Sequence, residues 1–240
     1  MKNNMANKKI LLSLTTITPG EWKNKVKEID ELGLKEIALF PTSLDIGQRQ
    51  ELYSLLEKTN LQSIPHVHLR SDMEINELDY LSKKFGTEIY NVHSELSSHP
   101  PLFDYADFIK KIYVENTEEI PTANDMKKYA GLCLDFSHWE SIRLVNGEVG
   151  SENIEIKKLV KKYKIGINHI SAVKSEKVHY HDRLTREDYF GYDFHWLDDL
   201  RELDYVKKYK NYLADIISIE LENPLKRQLE VKKYLEEIIL

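Results

Sequence analysis

Cysteine is almost missing from this chain of 240 residues, where Cys133 stands alone. A single thiol cannot close a disulfide within the chain, and it cannot build a thiolate zinc cage. Long apolar runs are missing too. No stretch approaches the ~20 consecutive apolar residues of a membrane-spanning helix. The polar opening MKNNMANKK leads into too few apolar residues for the core of a secretory signal. These absences make a cytoplasmic protein without a membrane partner the expectation. An excess of positive charge is also lacking, because 34 Lys and Arg face 40 Asp and Glu for a formal net charge of −6. That balance gives no general pull towards nucleic acid and argues against such a partner.

Hydrophobic residues make up 41% and charged residues 31% of the chain, enough for a sizeable core under a soluble surface. The length is close to the ~250 residues of a one-domain (β/α)₈ barrel. Short β-rich runs alternate with amphipathic helical runs throughout. Strands are expected at 9–14 (KILLSL), 35–40 (KEIALF), 62–68 (QSIPHVH), 89–93 (IYNVH), 111–115 (KIYVE), 131–135 (GLCLD), 165–169 (IGINH) and 216–220 (IISIE). Helices are expected at 18–32, with Thr18 as cap and Pro19 in first position, and at 48–58, 75–85, 123–129, 153–162, 197–208 and 224–239. Residues 101–109 leave room for a short helix only. The pattern predicts an α/β (β/α)₈ TIM barrel over 9–240 behind a flexible tail, 1–8, with a doubly wound open sheet as the competing arrangement.

Six of the expected strands end on or near a side chain that can bind a metal: His66, His93, Glu115, Asp135, His169 and Glu220. Any one of these is ordinary at a strand end. Six at matching height, on the face where barrels carry their active sites, are not. Imidazoles and carboxylates together suit a divalent ion such as Zn²⁺, Mn²⁺, Co²⁺ or Mg²⁺, and residue types do not choose among them. Within Gly131-Leu132-Cys133-Leu134-Asp135-Phe136-Ser137-His138, Asp135 closes the strand and His138 follows where the chain turns towards a helix. Cys133 shares the inward face with Asp135 and reads as a small core residue.

Pro65-His66, Val114-Glu115-Asn116, Leu134-Asp135-Phe136-Ser137-His138, Asn168-His169-Ile170 and Ile219-Glu220-Leu221-Glu222 together resemble the xylose isomerase-like barrel superfamily. That superfamily holds sugar isomerases and epimerases and the endonuclease IV-type apurinic-site nucleases. The resemblance implies a metal site of Glu115, Asp135, His169 and Glu220. It further implies His66 and His93 as ligands of a second ion, and His138 as a ligand of a third. The third ion's remaining partners would come from an Asp-Arg-His segment. Here Asp182-Arg183-Leu184 is the match, with a leucine that cannot ligate and His181 as a substitute. Glu222 competes with Glu220, since both face the same way on a continued strand.

The implied reaction is isomerisation or epimerisation of a sugar or sugar phosphate. Glu115 and Glu220 would move the proton through a metal-stabilised enediolate. A small-molecule carbohydrate is then the partner. His68, Trp139, Lys174 and Arg183 are the candidates for holding it, and 171–192 is long enough for a lid. The alternatives are an endonuclease IV-like phosphodiester hydrolase and a non-catalytic metal-binding barrel. Assembly into a homo-oligomer is left open.

Overall fold

The computed structural model describes residues 8–17, 21–181 and 188–239. The expected tail, the Thr18-Pro19 cap and the Asp182-Arg183-Leu184 segment fall wholly or mainly outside these residues. Among the described residues, no helix is long and apolar enough to cross a membrane.

The first apolar run is split at Leu12 into β1, Lys9–Leu11, and β2, Ser13–Thr15. After it come α1 (Trp22–Glu31), β3 (Glu36–Phe40), α2 (Ile46–Leu56), β4 (Ser63–His68), α3 (Ile75–Phe85) and β5 (Ile89–Val92). The second half holds β6 (Ile112–Glu115), α4 (Asp125–Lys128), β7 (Gly131–Asp135), α5 (Phe136–Asn146), α6 (Ser151–Lys162) and β8 (Ile165–Ile170). It continues with β9 (Ala172–His181), β10 (Asp188–Phe194), β11 (Ile216–Ile219) and α7 (Leu225–Ile239).

All pairings around the main sheet are parallel. Lys9 lies opposite Ile216 on β11, and Ser13 lies opposite Ala38 on β3. The order β1-β11-β8-β7-β6-β5-β4-β3-β2 therefore closes on itself, because its two ends are consecutive parts of one run. Leu12 carries the crossover, its carbonyl accepting the Ala38 N–H at 2.8 Å. Counting that run once leaves eight staves: a (β/α)₈ barrel, not an open sheet.

Local chemistry sets most of the boundaries. Asp45 and Gln48 form a reciprocal capping box at the start of α2, and Gly86, at φ 65°, ends α3 in the left-handed conformation. Apolar residues of the strands and helices pack in two halves between barrel and outer layer, one around Leu14, Val67 and Val114, the other around Leu134, Ile170 and Ile219. Inside the barrel, Tyr113, Cys133 and Ile167 cluster together. A Cβ on Gly166 would lie 2.1 Å from the Tyr113 ring, so only glycine lets that ring lie across β8.

The elements depart from or add to the expected ones in four places. Residues 101–109 form turns that end in a 3₁₀ turn at Ile109–Lys111; the burial of Tyr105 and Phe108 holds them where Pro100 and Pro101 supply no N–H. The helix expected beyond His138, without bounds, is α5, and it already includes Phe136 and Ser137. It starts at once because Asp135, the strand's last residue, is also its cap. The polar stretch 171–192 contains the antiparallel hairpin β9–β10. The helix expected at 197–208 is a run of 3₁₀ turns, Leu200–Tyr212, begun by the Asp199 side chain accepting from Arg201 N–H.

Candidate metal centre

Strand register brings the carboxylates and imidazoles together. Asp135 on β7 lies opposite His169 on β8, His169 opposite Ser218 on β11, and Glu115 on β6 opposite Cys133. Glu220 follows β11 directly, its N–H donating to Ile170 O at 2.8 Å. One donor atom from each of Glu115, Asp135, His169 and Glu220 falls within a 4.8 Å group, and all four residues are buried. His169 Nδ1 stands at the centre, 3.0 Å from Glu115 Oε1, 3.1 Å from Glu220 Oε2 and 4.0 Å from Asp135 Oδ2. Donors that each stand ~2 Å from one ion are separated by distances of this size.

Asp135 and His169 are each oriented by groups behind them. Asp135 Oδ1 accepts from Ser137 N–H at 2.6 Å, from His138 N–H at 2.9 Å and from the Ser137 hydroxyl. The helix start thus holds one oxygen and turns the other into the site. His169 Nε2 faces the Cys133 thiol at 3.4 Å, which leaves Nδ1 towards the carboxylates. Burial pushes that thiol up to about 12, so it stays protonated as a core group. Phe40 walls the site, with ring centroids 5.1 Å from His169 and 5.7 Å from His68.

Asp135 Oδ2 and Glu220 Oε2 are fully buried oxygens without a hydrogen-bond partner. Burial raises the Asp135 carboxyl, and the nearby Glu115 and Glu220 add to the rise. Burial opposes ionisation of Glu115 as well, but His169 and His68 outweigh it and hold the group well below its ordinary value. For Glu220 burial is likewise outweighed, by His195 and His169, leaving it at about 2. An acidic, water-poor donor set in which two buried oxygens accept no hydrogen bond fits a divalent cation.

A second donor set adjoins the first through Glu115. His68 Nε2 lies 3.1 Å and His93 Nε2 3.9 Å from Glu115 Oε2, and the two imidazole nitrogens are 3.2 Å apart. Burial, with His68 nearby, holds His93 down at about 3, so it is a neutral donor. His66 does not join this set. It points inward like His68 but two residues deeper along β4, roughly 6.5 Å by strand rise. Its ring nitrogens instead meet Ser218 Oγ at 2.9 Å and Asn91 Oδ1 at 2.7 Å. His68, expected to hold substrate, stands in the position expected of His66.

A third set is Glu118, His138 and Asp193. His138 Nδ1 lies 3.3 Å from Asp193 Oδ2 and 3.8 Å from Glu118 Oε1. Burial disfavours its charged form, but Asp135, Asp193 and Glu118 outweigh burial and raise it to about 10. His195, two residues after Asp193, has Nδ1 3.9 Å from Glu220 Oε1. Asp193-Phe194-His195 was the overlooked signal: an Asp-x-His spacing that fits the expected segment better than Asp182-Arg183-Leu184. His181 and His179 are exposed and share Asp188 Oδ1, at 3.0 and 2.8 Å, away from the centre.

Glu222 lies off the four-residue group, its Oε1 accepting Ile17 N–H at 3.0 Å, so Glu220 is the residue at the centre. Trp139 does not face the mouth; it is buried in the outer layer, donating to Asn153 Oδ1 at 2.8 Å and packed 4.7 Å from Tyr209. Lys174 is bound to Asp198 and Glu202 at 2.8 and 2.9 Å. Arg183 lies outside the described residues.

No family model matches the chain, and no curated protein matches it. Among solved structures the chain is similar to a xylose isomerase-like TIM barrel protein from Mycobacterium smegmatis in complex with magnesium. The identity is 15% and the TM-score 0.49, over 98% of this chain and 97% of the other. It is also similar to an uncharacterized protein from Parabacteroides distasonis, with 16% identity and a TM-score of 0.44, over 95% and 98% of the two chains. The barrel itself is established by this chain's own strand pairing.

Proposed function

We propose that the chain is a divalent-cation-dependent hydrolase of a small phosphate ester, its site formed by Glu115, Asp135, His169, Glu220, His68 and His93. One observation carries this reading: Glu115 lends Oε1 to one donor set and Oε2 to another, with the His138 set beside them. Adjoining sets that share a carboxylate suit a pair of cations. Bound there, divalent cations supply Lewis-acid stabilisation of a phosphoryl group as charge builds up on its oxygens. The protein's own groups hold the constellation rigid. Ser137 and the start of α5 fix Asp135, Cys133 turns His169, and Phe40 excludes water from one side. Two of the described rim cations are committed to neighbours: Arg70 Nε bonds Asp72 at 2.8 Å, and Lys174 bonds its two carboxylates. Together with a formal net charge of −6, this favours a small substrate over a long polyanion.

A second reading is metal-dependent isomerisation or epimerisation of a sugar or sugar phosphate. It draws support from Glu115 and Glu220, which flank His169 Nδ1 at 3.0 and 3.1 Å as two possible proton carriers. Metal analysis of the purified protein, then turnover of phosphate mono- and diesters beside deuterium exchange into ketoses, separates the two. Phosphate release that stops on chelation is expected. Solvent deuterium entering a ketose with no phosphate release would transfer the assignment to the second reading.

A further inference from the structure

Below the candidate ligands, a row of fully buried polar groups crosses the barrel from β11 to β6. Ser218 Oγ lies 2.9 Å from His66 Nδ1, His66 Nε2 lies 2.7 Å from Asn91 Oδ1, and Asn91 Nδ2 lies 2.6 Å from Glu115 Oε2. All three inner residues are 0% exposed, so water does not substitute for any partner.

The direction of every bond in this row follows from its end. A carboxylate only accepts, so the Asn91 amide must turn its NH₂ towards Glu115 and its oxygen towards His66. That oxygen needs a donor, so His66 carries its proton on Nε2. Nδ1 is then a bare acceptor, and the Ser218 hydroxyl must donate to it. Three donated bonds therefore run one way, each polarising the next, and they end on the oxygen that also faces His68 and His93.

We propose that His66 is a positioning residue: locked as the Nε2–H tautomer between Ser218 and Asn91, it sets the Asn91 amide and thereby the orientation of Glu115 Oε2 towards the His68–His93 pair. It touches neither substrate nor cation. The proposal deepens the cation reading and rests on it for its consequence, although the tautomer itself follows from the hydrogen bonds alone.

The test begins with the metal-free wild type. A long-range ¹H–¹⁵N spectrum is expected to show one neutral histidine with its proton on Nε2 whose signals vanish in His66→Gln. A His66 protonated on Nδ1, or on both nitrogens, overturns the proposal. Mn²⁺ titration then follows the consequence. His66→Leu, which breaks the row, is expected to bind ~10–100-fold more weakly, the usual loss when an outer partner of a ligand is removed. His66→Gln, whose amide can both accept from Ser218 and donate to Asn91, should recover most of that loss. A folded His66→Leu with wild-type affinity overturns the proposal; should that variant not fold, the wild-type tautomer decides. A wild type that binds no Mn²⁺ sinks the cation reading instead, and the spectrum still judges the row.

Discussion

Glu115 accepts from His169 on Oε1 and from Asn91 on Oε2, and Oε2 also faces the imidazoles of His68 and His93. Glu115→Gln replaces one of those acceptors with a donor that faces an N–H. Cation affinity should fall by more than the ~10–100-fold typical of an outer partner, for both ions at once. Calorimetric titration with Mn²⁺ or Zn²⁺ checks this, and loss of only one ion would show that the sets are independent. Trp139 makes the opposite case. Its indole is buried with Tyr209 and Tyr212, so Trp139→Ala should cost about 3–5 kcal/mol of stability by urea unfolding. In the proposed phosphate-ester assay, the KM of the surviving folded protein should not move. At this scale the sequence was legible wherever one strand end decided the answer. Glu115, Asp135 and His169 each close an apolar run, so strand alternation alone faces them inward. It was not legible where two residues share a face. His66 and His68 both point into the barrel, and only the register with β5 and the contact of His66 with Ser218 across the barrel show which one reaches the rim. Nor does the sequence reveal which side of α5 meets the 3₁₀ run, the contact that buries Trp139.

Helix α1 is fastened to the barrel mouth by a buried lysine. Lys25 Nζ donates to Thr15 Oγ1 at 2.6 Å and to Leu221 O at 3.2 Å. Burial lowers it to about 8, against the opposing pull of Glu222 and Glu28. The folded protein therefore releases this proton near pH 8, whereas the unfolded chain keeps it to about 10.5. Between those values the unfolded state binds more protons, so raising the pH favours folding through this group. Compared with Lys25→Met, the wild type should gain roughly 2–3 kcal/mol between pH 7.5 and 10.5. Paired urea titrations cancel the tyrosines and other lysines common to both proteins, and parallel pH profiles would contradict the assignment. Helix α3, ended by Gly86, was readable in advance, whereas α2 was expected at 48–58 and in fact starts two residues earlier, where the Asp45 capping box sets it. The β9–β10 hairpin was not readable, because its polar stretch carries no apolar alternation across its whole length; with it went Asp193 and His195.

For the molecule as a whole, the centre sets carboxylates against one another inside a closed barrel. Asp135 bears the clearest cost, since burial and two neighbouring glutamates disfavour its charged form by more than His138 and His169 favour it. A cation that binds only the folded state should stabilise it by about 2.7 kcal/mol at a hundredfold excess over Kd. For a chain of this length that is a rise in Tm of roughly 5–10 °C. Asp135→Asn removes the unfavourable charge yet keeps an oxygen for Ser137 N–H and His138 N–H, so the cap on α5 survives. Without added metal, this variant should melt no lower than the wild type. With saturating Mn²⁺ or Zn²⁺ the order should reverse, because only the wild type gains from the ion. Scanning calorimetry of both proteins, with metal and with chelator, gives four melting temperatures whose crossing is the signature. If the variant melts well below the wild type in chelator, Asp135 is held for its role in the fold, and the inference that its buried charge awaits a cation fails.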